Sequence, residues 1–195
     1  MPRPRRDTAT LRGVQELDLL DTAVDAFDRR LELVGLDQWT HVTPCRGWTV
    51  YDLVEHVIAG NNLAISLLAG DRPTAPGADP SDVVAEFRRS VHRQTDAFAG
   101  AAPTVELAHP AGRITGREFV VYRAGDIAVH AWDLARTLAT DESLGAELVK
   151  HALAPYASWV TTLDAGEKFG DGPSGHLPPG VLLQDRLLDQ LGRRP

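Results

Sequence analysis

The chain is poor in cysteine, in long apolar runs and in positive charge. Its 195 residues include one cysteine, which excludes an internal disulfide. Lysine and arginine total 20 against 27 aspartates and glutamates, a formal net charge of −7. Because phosphate binding needs a basic face, this charge argues against nucleic acid as a partner.

The chain also lacks a stretch near the roughly 20 apolar residues of a membrane span. A secretory signal would need an apolar stretch after the first arginines, and four charged residues interrupt it: Asp7, Arg12, Glu16 and Asp18. We therefore expect no membrane association and a cytoplasmic, reducing location.

What is present suits a globular protein. Hydrophobic residues make up 43% and charged residues 24%, which is ordinary usage. The length favours one core with a peripheral tail. We expect a single domain over residues 1–195, with a C-terminal helical extension from about residue 165.

Helical patterns dominate the first half of the chain. Apolar residues recur at three- and four-residue steps from Leu11 to Val34, which predicts one long amphipathic helix. Thr49 with Asp52 forms a short capping pattern for a second helix, which we expect to end at Gly70.

The middle of the chain predicts a third helix and a short extended piece. Asp79 as a cap and Pro80 at the first helical position start this helix, and Gly100 ends it. After it, alternation around Val105 and Leu107 predicts an irregular β-like segment.

The second half is again helical. Thr115 and Glu118 form a capping box for a fourth helix that runs to about Thr140. A fifth helix is expected over residues 143–163, kinked or divided at Pro155. A short terminal helix is expected over residues 181–191. The series predicts an all-α four-helix bundle with additional C-terminal helices, and bundles build metal sites from inward-pointing side chains.

Three residues would suit such a site. Asp126 and His130 are an i, i+4 pair, so both side chains leave one face of a helix. With His56 on the second helix they offer two imidazoles and a carboxylate, which leaves a fourth position open as in catalytic zinc sites. The alternative is a helix ion pair beside an unrelated histidine.

Glycines and polar residues flank these positions. Gly60 and Gly125 are poor helix formers that lie within about one helical turn of the candidate ligands, and we expect both to border the metal. Asn61, Asn62 and Arg123 could face the same cavity. The other histidines lack a comparable partner at ligand spacing and are expected to be structural or exposed: His41, His92, His109, His151 and His176.

Cys45 is the chain's sole thiol. A catalytic thiol needs a helix N-terminus, a cation or a metal nearby, so we favour a packing role for Cys45 over a nucleophilic one. Trp48 and Trp132 are interpreted as packing residues. Asp133 and Arg136 form an i, i+3 pair and are interpreted as local helix support.

Three segments resemble a known family. They are TPCRGWTVYDLVEH (Thr43–His56), DIAVHAWDLART (Asp126–Thr137) and DRLLDQLGRRP (Asp185–Pro195). In this order they resemble the actinobacterial metal-binding family related to mycothiol-dependent maleylpyruvate isomerase, which has a DinB-like four-helix bundle. The resemblance implies a zinc-type site at His56, Asp126 and His130.

Two departures from that isomerase matter. It carries glutamate where this chain has Asp126, so direct ligation by Asp126 and ligation through water both stay open. It also has a sterol-carrier-like second domain, for which we expect no room in this chain. Isomerisation of maleylpyruvate itself is therefore not inferred.

The charge of the site predicts its chemistry. A divalent ion on two neutral imidazoles and one carboxylate keeps a net charge of +1, which favours an anionic ligand such as a thiolate. We expect a zinc-dependent thiol transferase, lyase or isomerase that acts on a small electrophile with mycothiol or another low-molecular-weight thiol. A metal-dependent hydrolase and a non-catalytic metal or small-molecule binding protein are alternatives, and a homodimer is left open.

Overall fold

The protein, described by a computed structural model, is a bundle of helices with one small hairpin. The structure describes residues 8–71, 82–110, 112–162 and 172–195. The bundle helices are α1 (Thr8–Leu31), α2 (Val50–Ala69), α3 (Val83–Gly100) and α4 (Gly116–Leu138). Helix α1 packs against α4 and α2 against α3, and contacts between α2 and α4 complete the core. The predicted four-helix bundle is confirmed.

The local sequence signals account for the starts of two helices. Thr49 accepts a hydrogen bond from the backbone of Asp52, whose side chain bonds back to Thr49, and Thr115 and Glu118 form the same reciprocal pair. These capping boxes satisfy backbone groups that a helix start leaves unpaired. Gly70 ends α2 in a left-handed conformation with φ 75°.

Other predicted boundaries shift or lie elsewhere. Helix α1 ends at Leu31 rather than Val34, because the next residues continue as a turn. Helix α3 ends at Gly100 as predicted, while its predicted start at Asp79 and Pro80 lies outside the described residues.

Helix α4 ends before the predicted Thr140. Ala139 takes a left-handed conformation with φ 53°, and the backbone N–H of Thr140 bonds to the carbonyl of Ala135. Such a turn usually has glycine at this position, so the sequence carried no stop signal here.

The predicted extended piece is a two-stranded antiparallel hairpin between α3 and α4. Strand β1 (Glu106–His109) pairs with β2 (Gly112–Thr115). Leu107 and Ile114 face each other and are buried. The hairpin therefore anchors the segment that leads directly into the capping box of α4.

The fifth helix is continuous through Pro155. It consists of α5 (Ala146–Leu148), a π-helical turn (Val149–Leu153) and α6 (Ala154–Thr162). Pro155 has no N–H to donate, and the helix widens into the π-turn just before it instead of dividing.

The C-terminal part of the described chain forms a short helix. Helix α7 (Leu183–Gln190) matches the predicted terminal helix and packs on α6 and the π-turn. Among the described residues, no helix is long and apolar enough to cross a membrane.

Candidate functional site

Helices α2 and α4 bring the three predicted residues together. The candidate ligand atoms of His56, Asp126 and His130 lie within 4.8 Å of one another. His130 Nε2 is 3.8 Å from Asp126 Oδ1, and the His56 and His130 ring centroids are 4.8 Å apart. Asp126 and His130 are buried on α4, while His56 is half-buried. The cluster is thus reached from the α2 side.

Asp126 is held by two neighbours. Arg123 Nη1 donates to Asp126 Oδ2 at 2.6 Å, and the Tyr156 hydroxyl donates to Oδ1 at 2.8 Å. Burial alone would raise the pKa of Asp126, but the charges of Arg123 and the nearby histidines lower it to about 2. The carboxylate is therefore charged, with Oδ1 directed toward His130.

A buried polar network holds Arg123 in turn. Arg123 Nε donates to Gln94 at 3.1 Å, and Nη2 donates to the Asn61 side chain at 2.7 Å. Asn61 also donates to Ser90 at 2.9 Å. Of the polar residues expected at the cavity, Arg123 and Asn61 belong to this network, whereas Asn62 bonds to the exposed Arg93.

The two glycines near the candidate ligands lie against neighbouring side chains. A Cβ on Gly60 would overlap the Arg123 guanidinium, and a Cβ on Gly125 would overlap Tyr156 and come within 2.8 Å of the Ala152 carbonyl. Each glycine makes room for a residue that holds Asp126, so the close approach of a side chain accounts for both glycines.

The opposite ring nitrogen of His130 contacts a second carboxylate. His130 Nδ1 is 3.0 Å from Asp133 Oδ2, so Nε2 is left to face His56 and Asp126. A carboxylate behind a histidine in this way is typical of metal sites, because it fixes the tautomer and the ring orientation. The expected local pair of Asp133 with Arg136 is wrong: Arg136 pairs with Glu142 at 3.1 Å.

Asp133 is paired with the C-terminal tail. Arg193 donates to both Asp133 oxygens, with Nε at 3.1 Å from Oδ1 and Nη2 at 2.7 Å from Oδ2. Neither side chain has substantial exposure. Arg193 belongs to the segment Asp185–Pro195 that carries part of the family resemblance, but no spacing rule relates it to Asp133, 60 residues away.

Cys45 packs against the core as expected, and its thiol also lies beside His130, Asp133 and Arg193. Its Sγ is 3.9 Å from His130 Nδ1, donates to Asp133 Oδ2 at 3.2 Å and accepts from Arg193 Nη2 at 3.3 Å. Cys45 and Asp133 both contact Nδ1 of His130. The three residues therefore do not form a nucleophilic triad, in which the nucleophile and the orienting acid contact opposite nitrogens of the histidine base.

Cys45, His130 and Asp133 also have ligand spacing. Arg193, however, already donates to both carboxylate oxygens and to the sulfur, so a cation is in place there. In the other cluster, the cation Arg123 contacts Asp126 through Oδ2 only, and Oδ1, which accepts from the neutral Tyr156 hydroxyl, faces His130. The set of His56, Asp126 and His130 is therefore the better candidate metal site.

The aromatic residues divide between site and core. Trp132 is buried as predicted. Trp48 is half-buried, and its ring centroid is 4.6 Å from that of His56 and 6.0 Å from that of His130. Trp48 thus packs, as expected, but against both candidate ligands.

The other histidines are structural or exposed as predicted, with His109 packed among Phe119, Tyr122 and Trp159.

The two imidazoles have opposite proton affinities. Burial, helped by the charge of His130, lowers the pKa of His56 to about 4. Burial also acts to lower the pKa of His130, but hydrogen bonds with Asp133 and Cys45 outweigh it and raise that pKa to about 10. At neutral pH, His56 therefore offers a free lone pair, while His130 carries a proton that a metal must displace.

Zinc binding at pH 7 is expected to release one proton per chain. His130, with its raised pKa, must lose its proton to ligate, whereas His56 has none to lose. The apparent affinity should accordingly rise about tenfold per pH unit between pH 6 and 8. Calorimetry in buffers of different ionisation enthalpy measures the proton count. Two histidines of ordinary pKa would release about half a proton together, and that result would contradict the opposite pKa shifts of His56 and His130.

Comparison with known proteins identifies the family of this chain. Residues 20–135 match the model of the mycothiol maleylpyruvate isomerase N-terminal domain. Uncharacterized proteins of Mycobacterium tuberculosis strains H37Rv and CDC 1551 are each 36% identical over 135 residues, covering 68% of this chain and 72% of the relative.

Two crystal structures share the fold. The mycothiol-dependent maleylpyruvate isomerase aligns with a TM-score of 0.59 at 18% identity, covering 84% of this chain and 72% of the enzyme. A histidine-to-alanine mutant of that enzyme gives 0.61 at 16% identity, covering 86% and 74%. The fold is accordingly DinB-like, and the chain belongs to the family of the mycothiol maleylpyruvate isomerase N-terminal domain.

Proposed function

We propose that this protein is a metal-dependent thiol enzyme: an isomerase, lyase or transferase that acts on a small electrophile with mycothiol or a similar thiol. His56, Asp126 and His130 would hold the metal, with zinc as the preferred ion. The observation that carries the proposal is the convergence of these three side chains, with His130 backed by Asp133. Membership of a family named for a mycothiol enzyme supports the thiol.

The residues present fit a zinc-type ion. Two imidazole nitrogens and one carboxylate oxygen are a donor set of catalytic zinc, which keeps a fourth position open. Ligand atoms of a tetrahedral zinc lie about 3.3 Å apart, given bonds of about 2.0–2.1 Å. The spacing of up to 4.8 Å needs only small side-chain movements. Asp126 supplies one negative charge, and Arg123 and Tyr156 hold it in place.

The chemistry that such an ion supplies when bound is a Lewis-acidic position that favours a thiol in its deprotonated form. The protein's own residues determine where that thiol comes from. Cys45 lies beside Nδ1 of His130, on the opposite side of the ring from the candidate ligand atoms of His56 and Asp126. Its sulfur is also engaged by Asp133 and Arg193. The reacting thiol is therefore proposed to be a small molecule that enters beside half-buried His56.

We also propose that the bundle and the C-terminal extension form one domain. Arg193 reaches Cys45 and Asp133 across 148 and 60 residues, and α7 packs on α6. These contacts support a single unit that includes the tail. The cytosol suits both a low-molecular-weight thiol and an unpaired Cys45.

Cobalt-substituted protein tests thiol binding. Addition of mycothiol should produce a sulfur-to-cobalt charge-transfer band at pH 7, well below the ordinary thiol pKa of about 8.5. His56→Ala should abolish the band. Cys45→Ala should retain it, since the responding sulfur belongs to the added thiol. With cobalt occupancy verified, an unchanged spectrum at saturating mycothiol would contradict thiol activation.

A further inference from the structure

The neighbouring residues Arg193 and Arg194 differ sharply in their surroundings. Arg193 is buried and contacts Asp133, whereas the side chain of Arg194 is 50% exposed and bonds to the carbonyl of Gly172. The backbone explains the difference. Gly192, with φ 77°, closes α7 by a left-handed turn in which the N–H of Arg193 bonds to the carbonyl of Leu188. This turn directs Arg193 back into the bundle.

The contacts of Asp133 show what Arg193 does there. Oδ2 of Asp133 meets His130 Nδ1 at 3.0 Å, Arg193 Nη2 at 2.7 Å and Cys45 Sγ at 3.2 Å. Oδ1 accepts from Arg193 Nε at 3.1 Å. The planar fork of a guanidinium fixes the plane of a carboxylate in a way that a single donor cannot. With both oxygens engaged, the Asp133 side chain has one orientation available.

A contribution to stability alone does not explain why Arg193 and Asp133 are buried as an ion pair. A buried ion pair contributes little compared with apolar residues of the same volume, because both charges must leave water. Asp133 has no exposed side-chain surface, and it lies directly behind a candidate metal ligand. Groups in that position fix the orientation of the ligating histidine.

We propose that Arg193 is a positioning residue of the metal site, which acts through Asp133 to hold His130 with Nε2 directed at the metal. This role rests on the proposed function, because it presupposes that His130 ligates. It makes the C-terminal tail part of the site, although Arg193 itself touches neither the metal nor the substrate.

The test uses the full-length protein loaded with zinc or cobalt. Arg193→Met should weaken zinc binding by about tenfold or more in competition with a chelator, as mutation of outer-shell partners does. It should also change the ligand-field spectrum of the cobalt protein. Arg193→Lys should fall between this variant and the wild type, since it restores the charge without the fork. Arg194→Met is the matched control and should leave affinity and spectrum unchanged.

A double variant separates positioning from a purely structural contact. In an Asp133→Asn background, adding Arg193→Met should change zinc affinity by less than about twofold, because the carboxylate that Arg193 holds is gone. If Arg193→Met alone does not fold, Arg193→Lys carries the test, because it keeps a cation beside Asp133 and removes only the fork. An affinity and a cobalt spectrum equal to those of the wild type would then contradict the positioning role.

The outcomes distinguish the two proposals. The role of Arg193 is wrong if folded Arg193→Met matches Arg194→Met in affinity and spectrum. It is also wrong if Arg193→Met has the same effect with and without Asp133. These results leave the proposed function intact as long as the wild type binds zinc. A wild-type protein that takes up neither zinc nor cobalt overturns both.

Discussion

Replacing His130 by alanine is expected to lower zinc affinity by more than about 100-fold. The reason is that loss of a residue that only hydrogen-bonds to a metal ligand already weakens metal binding by about 10- to 100-fold, and His130 is one of three proposed direct ligands. His92→Ala is the matched control, because His92 is an exposed histidine on α3. Chelator competition followed by elemental analysis measures both variants against the wild type.

The His130 variant should keep its fold. Asp133 retains its contacts with Arg193 after His130 is removed, so no buried carboxylate is left unpaired. Circular dichroism checks this point. If folded His130→Ala keeps a full equivalent of zinc under dialysis conditions that His92→Ala also survives, the ligand assignment is wrong.

Replacing Arg123 by methionine is expected to destabilise the metal-free protein strongly. It leaves the buried Asp126 carboxylate without its cation, a change that costs about 3–5 kcal/mol in buried pairs. For a chain of this length, each kcal/mol corresponds to roughly 2–4 °C, so the melting temperature should fall by on the order of 10 °C. Zinc should restore part of the loss, because a bound cation again neutralises Asp126.

Arg93→Met provides the comparison for this variant. Arg93 lies on α3 with its side chain 55% exposed and pairs with Glu86. Surface pairs of this kind contribute about 0–1 kcal/mol, so its melting temperature should change by no more than a few degrees. Equal melting temperatures for Arg93→Met and Arg123→Met, with or without zinc, would show that Asp126 does not depend on Arg123.

Local sequence patterns were sufficient to predict most of the bundle. Both capping boxes depend on residues three apart, and Asp126 and His130 share a helix face at i, i+4, so neither needs knowledge of the tertiary structure. The resemblance to the family then linked His56 to the pair. No residue type marks the left-handed conformation of Ala139 in the sequence. Pro155 marks a distortion of the fifth helix, but it does not specify that the distortion is a π-turn.

The surroundings of the site could not be predicted in the same way. Cys45, Asp133 and Arg193 meet through the tertiary fold, and no periodicity relates residues 148 positions apart. The sequence signal for Asp133 is its i, i+3 spacing from His130. Asp133 has the same spacing from Arg136, and from the sequence that second pair is the interpretation favoured. The role of Gly60 depends on the direction of the Arg123 side chain from another helix, which sequence periodicity does not specify.

X-ray absorption at the zinc edge tests the central claim most directly. Zinc-loaded protein should show only nitrogen and oxygen neighbours, because Cys45 is proposed not to ligate. Addition of mycothiol should bring one sulfur neighbour at about 2.3 Å, in the wild type and equally in Cys45→Ala. A sulfur neighbour before thiol is added, or none at saturating mycothiol, would contradict a site in which His56, Asp126 and His130 present zinc to an external thiol.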